Sequence, residues 1–491
     1  MNWGLSLLSA GWLVLLYPRF EMVWLAPVAL APLVWALGRE SSGWRRFWLG
    51  ELCGIVYWTG VCYWIEFVLS YHGGMERWLA WFSFALFCVL KALHTAVFAA
   101  LAGPLVRSPW AVVLVPALWV GIERLHAPFG FVWLMLGNAG SDMSVPMRLA
   151  PFTGVYGVSY VFAMMGTAVA LLAMRRPRRQ LAPMLGLLAL FTLPELPKAE
   201  AGRESAAVVQ SNVPQMAPQW NKEKVRLLRD QLGRLSLEAA LDPGRPQPYL
   251  LLWPESPAPL YFHDDPEFEE QARRIARLTR TYFLFGTVAF NRKTNAPKNR
   301  ALLLDPEGQP VTSYDKVHLV PFGEFVPPVF YWVSRITQEA GDFEPGEGVV
   351  VSPAGGRKLG TFICYESAFP EFVREFADGG AEVLINLTND GYFGRTAARQ
   401  QHLWLARMRA AENRRWVLRA TNDGVTVSID PAGRVVRQLP PFEAMGGRLP
   451  YSWIEDKTPY TRAGDVFAWG CLVIALAMSV RLLTELTESR S

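Results

Sequence analysis

Cysteine is scarce in this 491-residue sequence, and its placement is uneven. The five are Cys53, Cys62, Cys88, Cys364 and Cys471. Four lie in long apolar stretches. Residues 201–460 contain only Cys364, which excludes a disulfide within that segment. There is no Cys-x-x-Cys pair and no histidine cluster at ligand spacing, so neither a structural zinc site nor any other cofactor is expected. Charge is sparse as well: 19% of residues, against roughly 25% in ordinary soluble domains. The formal net charge of +5 lies wholly in residues 1–200, which hold 14 Lys+Arg and 9 Asp+Glu; residues 201–491 hold 34 of each sign. A basic total of this origin is not the Lys/Arg face of a nucleic-acid binder. Low-complexity and collagen-like bias are absent, and the chain is too apolar for a disordered one.

Long apolar runs are what the first part does have. A membrane-spanning helix needs about 20 mostly apolar residues. Candidate runs cover 3–17, 20–37, 47–70, 78–106, 109–122, 149–174 and 181–196, and an eighth covers 466–483. The first is short but apolar. It lacks the basic start and the small-residue cleavage site of a signal peptide, and reads as an anchoring helix. Lys and Arg favour cytoplasmic loops. One set of alternate loops carries Arg39, Arg45, Arg46, Arg107, Arg175, Arg176, Arg178 and Arg179; the other carries Arg19, Arg77, Arg124 and Arg148. With seven spans ahead of it, residues 200–460 then face the outside and the C-terminus returns to the cytoplasm. Glu51, Glu66, Lys91 and His94 fall inside or near these runs, as internal ion pairs, headgroup-level charges or functional groups.

After residue 200 the pattern changes to short apolar strands at 206–209, 249–253, 282–290, 300–304, 360–364 and 382–386. Between them, Val225, Leu228, Leu232, Leu235 and Ala239 recur at helical spacing, and a second helix is expected over 396–416. The runs Asp305-Pro306-Glu307-Gly308 and Asp430-Pro431-Ala432-Gly433 read as turns between strands. Strands alternating with helices argue for an α/β or α+β domain.

Three segments here could carry chemistry. The strand ending at Cys364 runs into Tyr365-Glu366-Ser367 and then a helix start at Phe369-Pro370-Glu371, as in a nucleophile elbow, where a helix N-terminus would lower the thiol pKa. In Trp253-Pro254-Glu255-Ser256-Pro257 a carboxylate stands between two prolines at a strand end, a placement suited to a general base. In the run from Tyr314 to Glu324, Lys316 stands in largely apolar surroundings. Taken one at a time, each has a plain structural reading: a buried small side chain, a turn glutamate, a surface lysine.

Together the three segments resemble the carbon–nitrogen hydrolase (nitrilase) superfamily, with its Glu-Lys-Cys triad in this chain order. Apolar runs flanking such a domain resemble the bacterial apolipoprotein N-acyltransferases, over essentially the whole chain. Further matches are 209–215 leading to Trp220, the run Thr388-Asn389-Asp390-Gly391-Tyr392-Phe393, and Gly130-Phe131-Val132-Trp133 before Gly137. Val132 and Asn138 depart from the family pattern, which has Pro and an aromatic residue there.

The resemblance implies a multi-pass α-helical membrane domain of about eight spans plus an α/β nitrilase-like α-β-β-α sandwich. The expected domains are 1–200, 201–455, and 456–491 as the last span and cytoplasmic tail, in a bacterial inner membrane with the catalytic domain on the extracytoplasmic face. It implies a ping-pong acyl transfer from a phospholipid, through a Cys364 thioester, to the α-amino group of a diacylglyceryl-cysteine on a lipoprotein. Glu255 would be the base, Lys316 the oxyanion partner, and Glu324, Trp220, Tyr365 and Glu366 supporting residues. Residues 325–333 are expected as an arm dipping into the membrane surface, or as a core segment. The competing readings are a membrane-anchored amidase or nitrile hydrolase with the same triad, and a silent scaffold.

Overall fold

The structure is a computed structural model that describes residues 1–126, 131–214, 220–255, 260–321, 323–325 and 343–488. The chain forms two compact units. One comprises Met1–Glu66, Glu76–Leu196 and the chain from Arg462 onward; the other comprises Phe67–Met75 and Pro197–Thr461.

The first unit is helical. Among the described residues, Arg77–Arg107 and Ala150–Ala173 are long and apolar enough to cross a membrane, and Gly43–Val61 joined to Trp64–His72 is a third if that pair, bent by 55°, counts as one span. Asn2–Leu15 and Val466–Leu482 are shorter apolar helices. Helix length therefore supports two to three crossings, where the apolar runs suggested eight. The run at 20–37 contains only a 3-10 turn and the nine-residue helix Ala31–Arg39, with Pro27 in the break between them and Pro32 in the first turn of the helix. The run at 181–196 lies largely in a 3-10 segment, Arg178–Thr192, with Pro183 inside. Hydropathy counts apolar side chains and is blind to such breaks.

Small residues set the packing of this unit. A Cβ on Gly50 would collide with Ala99 and the Thr95 carbonyl, and one on Gly54 with Ala92, so Gly43–Val61 and Arg77–Arg107 approach backbone to backbone. Glu66 lies 3.8 Å from Arg77. Lys91 is buried, its Nζ 5.2 Å from the centre of the Trp58 ring.

The second unit is a two-sheet sandwich. Its strands are β1 (Glu204–Gln210), β2 (Leu250–Leu252), β3 (Tyr282–Phe290), β4 (Pro297–Leu304), β5 (Pro310–Asp315), β6 (Val351–Ala354), β7 (Arg357–Ile363), β8 (Val383–Thr388), β9 (Val417–Thr421), β10 (Val427–Ile429), β11 (Val435–Gln438) and β12 (Met445–Tyr451). The described strands form two six-stranded sheets, ordered β12-β1-β2-β3-β4-β5 and β11-β10-β9-β8-β7-β6. In the first, β1, β2 and β3 are parallel; in the second, β7, β8 and β9 are.

Each sheet is backed by helices whose ends the sequence marks. Asn221 caps Lys222–Ala240 by accepting the Lys224 N–H at 2.8 Å. Asp265 caps Pro266–Thr279 by accepting from the Glu267 and Phe268 N–H groups, with Pro266 in the first turn. Leu228, Leu232, Leu235, Phe268, Ala272 and Ile275 from these two helices bury against Val209, Leu251 and Phe283 of the first sheet. Helices Pro370–Asp378 and Ala398–Asn413 belong to the second sheet's side. Both Asp-Pro turns form as read, with Gly308 and Gly433 each at φ +82°. Ser211 and Val213, at the end of β1, both bind the Asn422 side chain at the end of β9, joining the two sheets at that edge.

Candidate active site

The candidate triad gathers at the ends of three strands. Glu255 follows β2 by three residues. Pro254 cannot continue a central strand, yet the pairing with β3 persists: Trp253 N–H donates to Leu284 O at 3.0 Å, and Gly286 N–H to Pro254 O at 3.1 Å. That carries Glu255 just past the edge of the sheet. Lys316 follows β5, where its N–H donates to Asn299 O at 2.8 Å. Cys364 follows β7 in the other sheet and opens the 3-10 turn Cys364–Ala368. Carboxyl ends of parallel strands are where open sheets place ligands.

Glu255 is buried and its carboxylate is fully engaged. Oε1 accepts from Asn299 Nδ2 at 2.7 Å and Lys316 Nζ at 3.3 Å; Oε2 accepts from the Asn389 N–H at 2.8 Å. The last bond crosses from one sheet to the other. Lys316 is 1% exposed, and its Nζ also lies 2.9 Å from a Glu324 carboxylate oxygen. Asn299 donates to Glu324 at 2.8 Å as well, so one amide orients both acids. Glu324 accepts in turn from the Val320 N–H at 2.8 Å. Burial opposes the charge on Lys316, but the Glu255 and Glu324 carboxylates outweigh it and hold the ammonium well above the ordinary lysine range.

Cys364 sits at φ +50°, a conformation costly for any residue with a Cβ. Burial pushes its thiol up to about 12, the Glu255 carboxylate adds to that, and Lys316 works against it. This corrects the expected thiolate. The cysteine opens only a single 3-10 turn, and burial outweighs any helix-end effect. A resting thiol of this kind needs a base to take its proton, and Glu255 is the carboxylate whose charge it feels most, ahead of Asp390.

The supporting residues divide. Glu324 joins the triad directly. Glu366 is fully buried: Oε1 accepts from Tyr314 OH at 2.6 Å, Val317 N–H at 2.7 Å and His318 N–H at 3.1 Å, and Oε2 accepts from Ile363 N–H at 2.6 Å. It ties the chain after Lys316 to the strand end before Cys364. Tyr365 is buried with its ring edge-on to Phe369 at 5.1 Å. Trp220 packs half-buried on the apolar cluster of the first sheet, the plain packing role open to it. Phe330, Trp332 and the rest of the expected arm beyond Phe325 lie outside the described residues. Sequence reasoning missed Asn299, the Asn389 backbone and a buried group behind Cys364 made of Asp390, His402 and Arg419. Asn389-Asp390 stood in a matched motif, which was a signal; Asn299, in a plain strand, carried none.

Residues 205–446 match the family described as Carbon-nitrogen hydrolase, and residues 9–168 match the Apolipoprotein N-acyltransferase N-terminal domain. An apolipoprotein N-acyltransferase of Geobacter metallireducens is 32% identical over 504 residues, covering 97% of this chain and 94% of that protein. One of Ralstonia nicotianae is 32% identical over 473 residues, covering 92% and 88%. Among solved structures, an amidase from Nesterenkonia sp. is 22% identical and covers 54% of this chain and 94% of its own, with a TM-score of 0.38. With relatives of this identity spanning nearly its whole length, the chain belongs to the apolipoprotein N-acyltransferase family and is a membrane acyltransferase of nitrilase-like fold.

Proposed function

We propose that this enzyme moves an acyl chain from a phospholipid to the α-amino group of a lipoprotein's N-terminal diacylglyceryl-cysteine, through a thioester on Cys364. The observation that carries the reading is the shared Glu255 carboxylate, held by Lys316, Asn299 and the Asn389 N–H beside a buried thiol. In the first half-reaction Glu255 takes the thiol proton as sulfur attacks the ester carbonyl. Lys316 Nζ donates to the oxyanion of the tetrahedral intermediate. Collapse breaks the ester C–O bond, and Glu255 returns the proton to the departing lyso-lipid oxygen. In the second, the neutral amine attacks the thioester, Glu255 takes its proton, and the thiolate leaves and is reprotonated. Glu324 orients Lys316. Trp220, Tyr365 and Glu366 shape the surroundings.

Residues 201–455 form the catalytic domain in this reading. The membrane part is multi-pass, with the arginines at 39–46 cytoplasmic and the catalytic domain on the outer face of the inner membrane. Lipid-linked donor and acceptor explain why such a domain is held at a bilayer at all.

The test is to incubate the purified protein with acyl-labelled phospholipid, then add a diacylated lipopeptide. Label on Cys364 that passes to the peptide amine is expected. Label released only to water would favour a hydrolase, and a Cys364→Ser variant as active as the parent would remove Cys364 from the mechanism.

A further inference from the structure

The strained backbone at Cys364 is held from behind by a buried group that the acyl-transfer steps leave unused. His402, on helix Ala398–Asn413, is fully buried, with Nε2 3.0 Å from the Cys364 carbonyl oxygen. A ring nitrogen at that distance from a carbonyl oxygen must carry the proton, so Nε2–H donates to Cys364 O. Nδ1 lies 3.0 Å from Asp390 Oδ1 and 2.9 Å from Arg419 Nη2.

Arg419 grips Asp390 with both ends of its fork, Nη1 to Oδ2 at 3.0 Å and Nη2 to Oδ1 at 2.9 Å. It is fixed in turn by Asn386 Oδ1 at 3.2 Å and Val425 O at 3.0 Å. Gly424 leaves the space: a Cβ there would collide with the Asp390 carboxylate. Burial alone would raise the Asp390 carboxyl, but Arg419 and His402 hold it well below the usual carboxylate range, so the group stays charged and rigid. The same turn presents the Asn389 N–H to Glu255 at 2.8 Å. One buried cluster therefore touches the backbone of the proposed nucleophile and borders the donor that seats the proposed base.

We propose that His402, oriented by Asp390 and Arg419, is a positioning residue that locks the Cys364 peptide in its left-handed conformation and so sets the thiol against Glu255 and Lys316. This rests on the reading of Cys364 as nucleophile. His402 touches no reacting atom; it acts through the Cys364 carbonyl.

The experiment compares full-length His402→Gln, which can keep an N–H donor, with His402→Met, which keeps bulk and loses the donor. Cys364→Ala is the control. Acyl-enzyme formation, transfer to the lipopeptide and alkylation of Cys364 are measured beside thermal unfolding. For His402→Met, kcat is expected to fall about 100-fold with KM for phospholipid nearly unchanged, the usual cost of misplacing a reacting group by about 1 Å. Cys364 alkylation should slow in parallel, and His402→Gln should recover at least about tenfold of the loss. A folded His402→Met with parental kcat overturns the proposal, as does a loss confined to KM. If His402→Met does not fold, His402→Gln decides: folded and within about tenfold of the parent supports the proposal, while a Gln variant that is folded but inactive, or unfolded, overturns it. Failure of the underlying reading looks different, because Cys364→Ala would then retain transfer whatever His402 does.

Discussion

Two buried lysines show how differently the two units treat charge. In the membrane unit, Lys91 lies against Trp58, and its Nζ has no hydrogen-bond partner among the described residues. In the catalytic unit, Lys316 is as deeply buried and sits between two carboxylates that a shared asparagine orients. The same contrast runs wider. Around the helix pair Gly43–Val61 and Arg77–Arg107, close approach of Gly50 and Gly54 to alanines does the packing. Around β8 and β9, Arg409 pairs with Glu412 and Arg419 with Asp390, all of them buried. A helix in lipid satisfies its own backbone and needs shape from its neighbours. A buried catalytic charge must be paired, and the pairing also fixes its position.

The strongest way to break this contrast is to remove each lysine. Lys316→Met should cost about 3–5 kcal/mol of stability, because two buried carboxylates lose their partner, and should abolish acyl transfer. Lys91→Met should change stability by less than about 1 kcal/mol, since no paired charge is stranded. Thermal unfolding in matched detergent compares the two, and equal losses would erase the distinction. A milder probe is Glu366→Gln, which puts an amide donor in place of one oxygen of an acceptor of four hydrogen bonds and should destabilise by about 2–3 kcal/mol. Gly54→Leu sharpens the other side: overpacking against Ala92 should cost about 1–3 kcal/mol while transfer per folded molecule is unchanged.

The last test moves no stability and concerns pH. A thiol pushed up to about 12 stays protonated through neutrality. Its alkylation by a neutral reagent should rise about tenfold per pH unit from pH 6 to 7.5 with no plateau, because only the small thiolate fraction reacts, whereas a thiolate activated at a helix end would level off in or below this range. A rate that levels off by about pH 7 would restore the thiolate expected from the sequence.

Much of the catalytic unit was legible because its signals are local. The strand at 282–290 has the bounds its apolar run suggests, the two Asp-Pro turns form where Pro and Gly stand, and Cys364 lies just past a strand end. The membrane part was less legible, since an apolar run broken into a 3-10 turn and a short helix scores like a continuous span. Residues 67–75 are a case in point: the run at 47–70 reads as one membrane segment, yet Phe67–Met75 packs with the catalytic unit, where the His72 ring lies 5.2 Å from that of Tyr392.

Residue types and their order along the chain were enough to nominate Glu255, Lys316 and Cys364, because a carboxylate between prolines, a lysine in an apolar run and a cysteine at a strand end are each marked by near neighbours. Which groups hold them was decided across the fold. Asn299 reaches Glu255 over 44 positions, Asn389 over 134, and His402 reaches Cys364 over 38. The state of the thiol was decided there too. Burial between two sheets, which no local pattern records, turned an expected thiolate into a thiol that waits for its base.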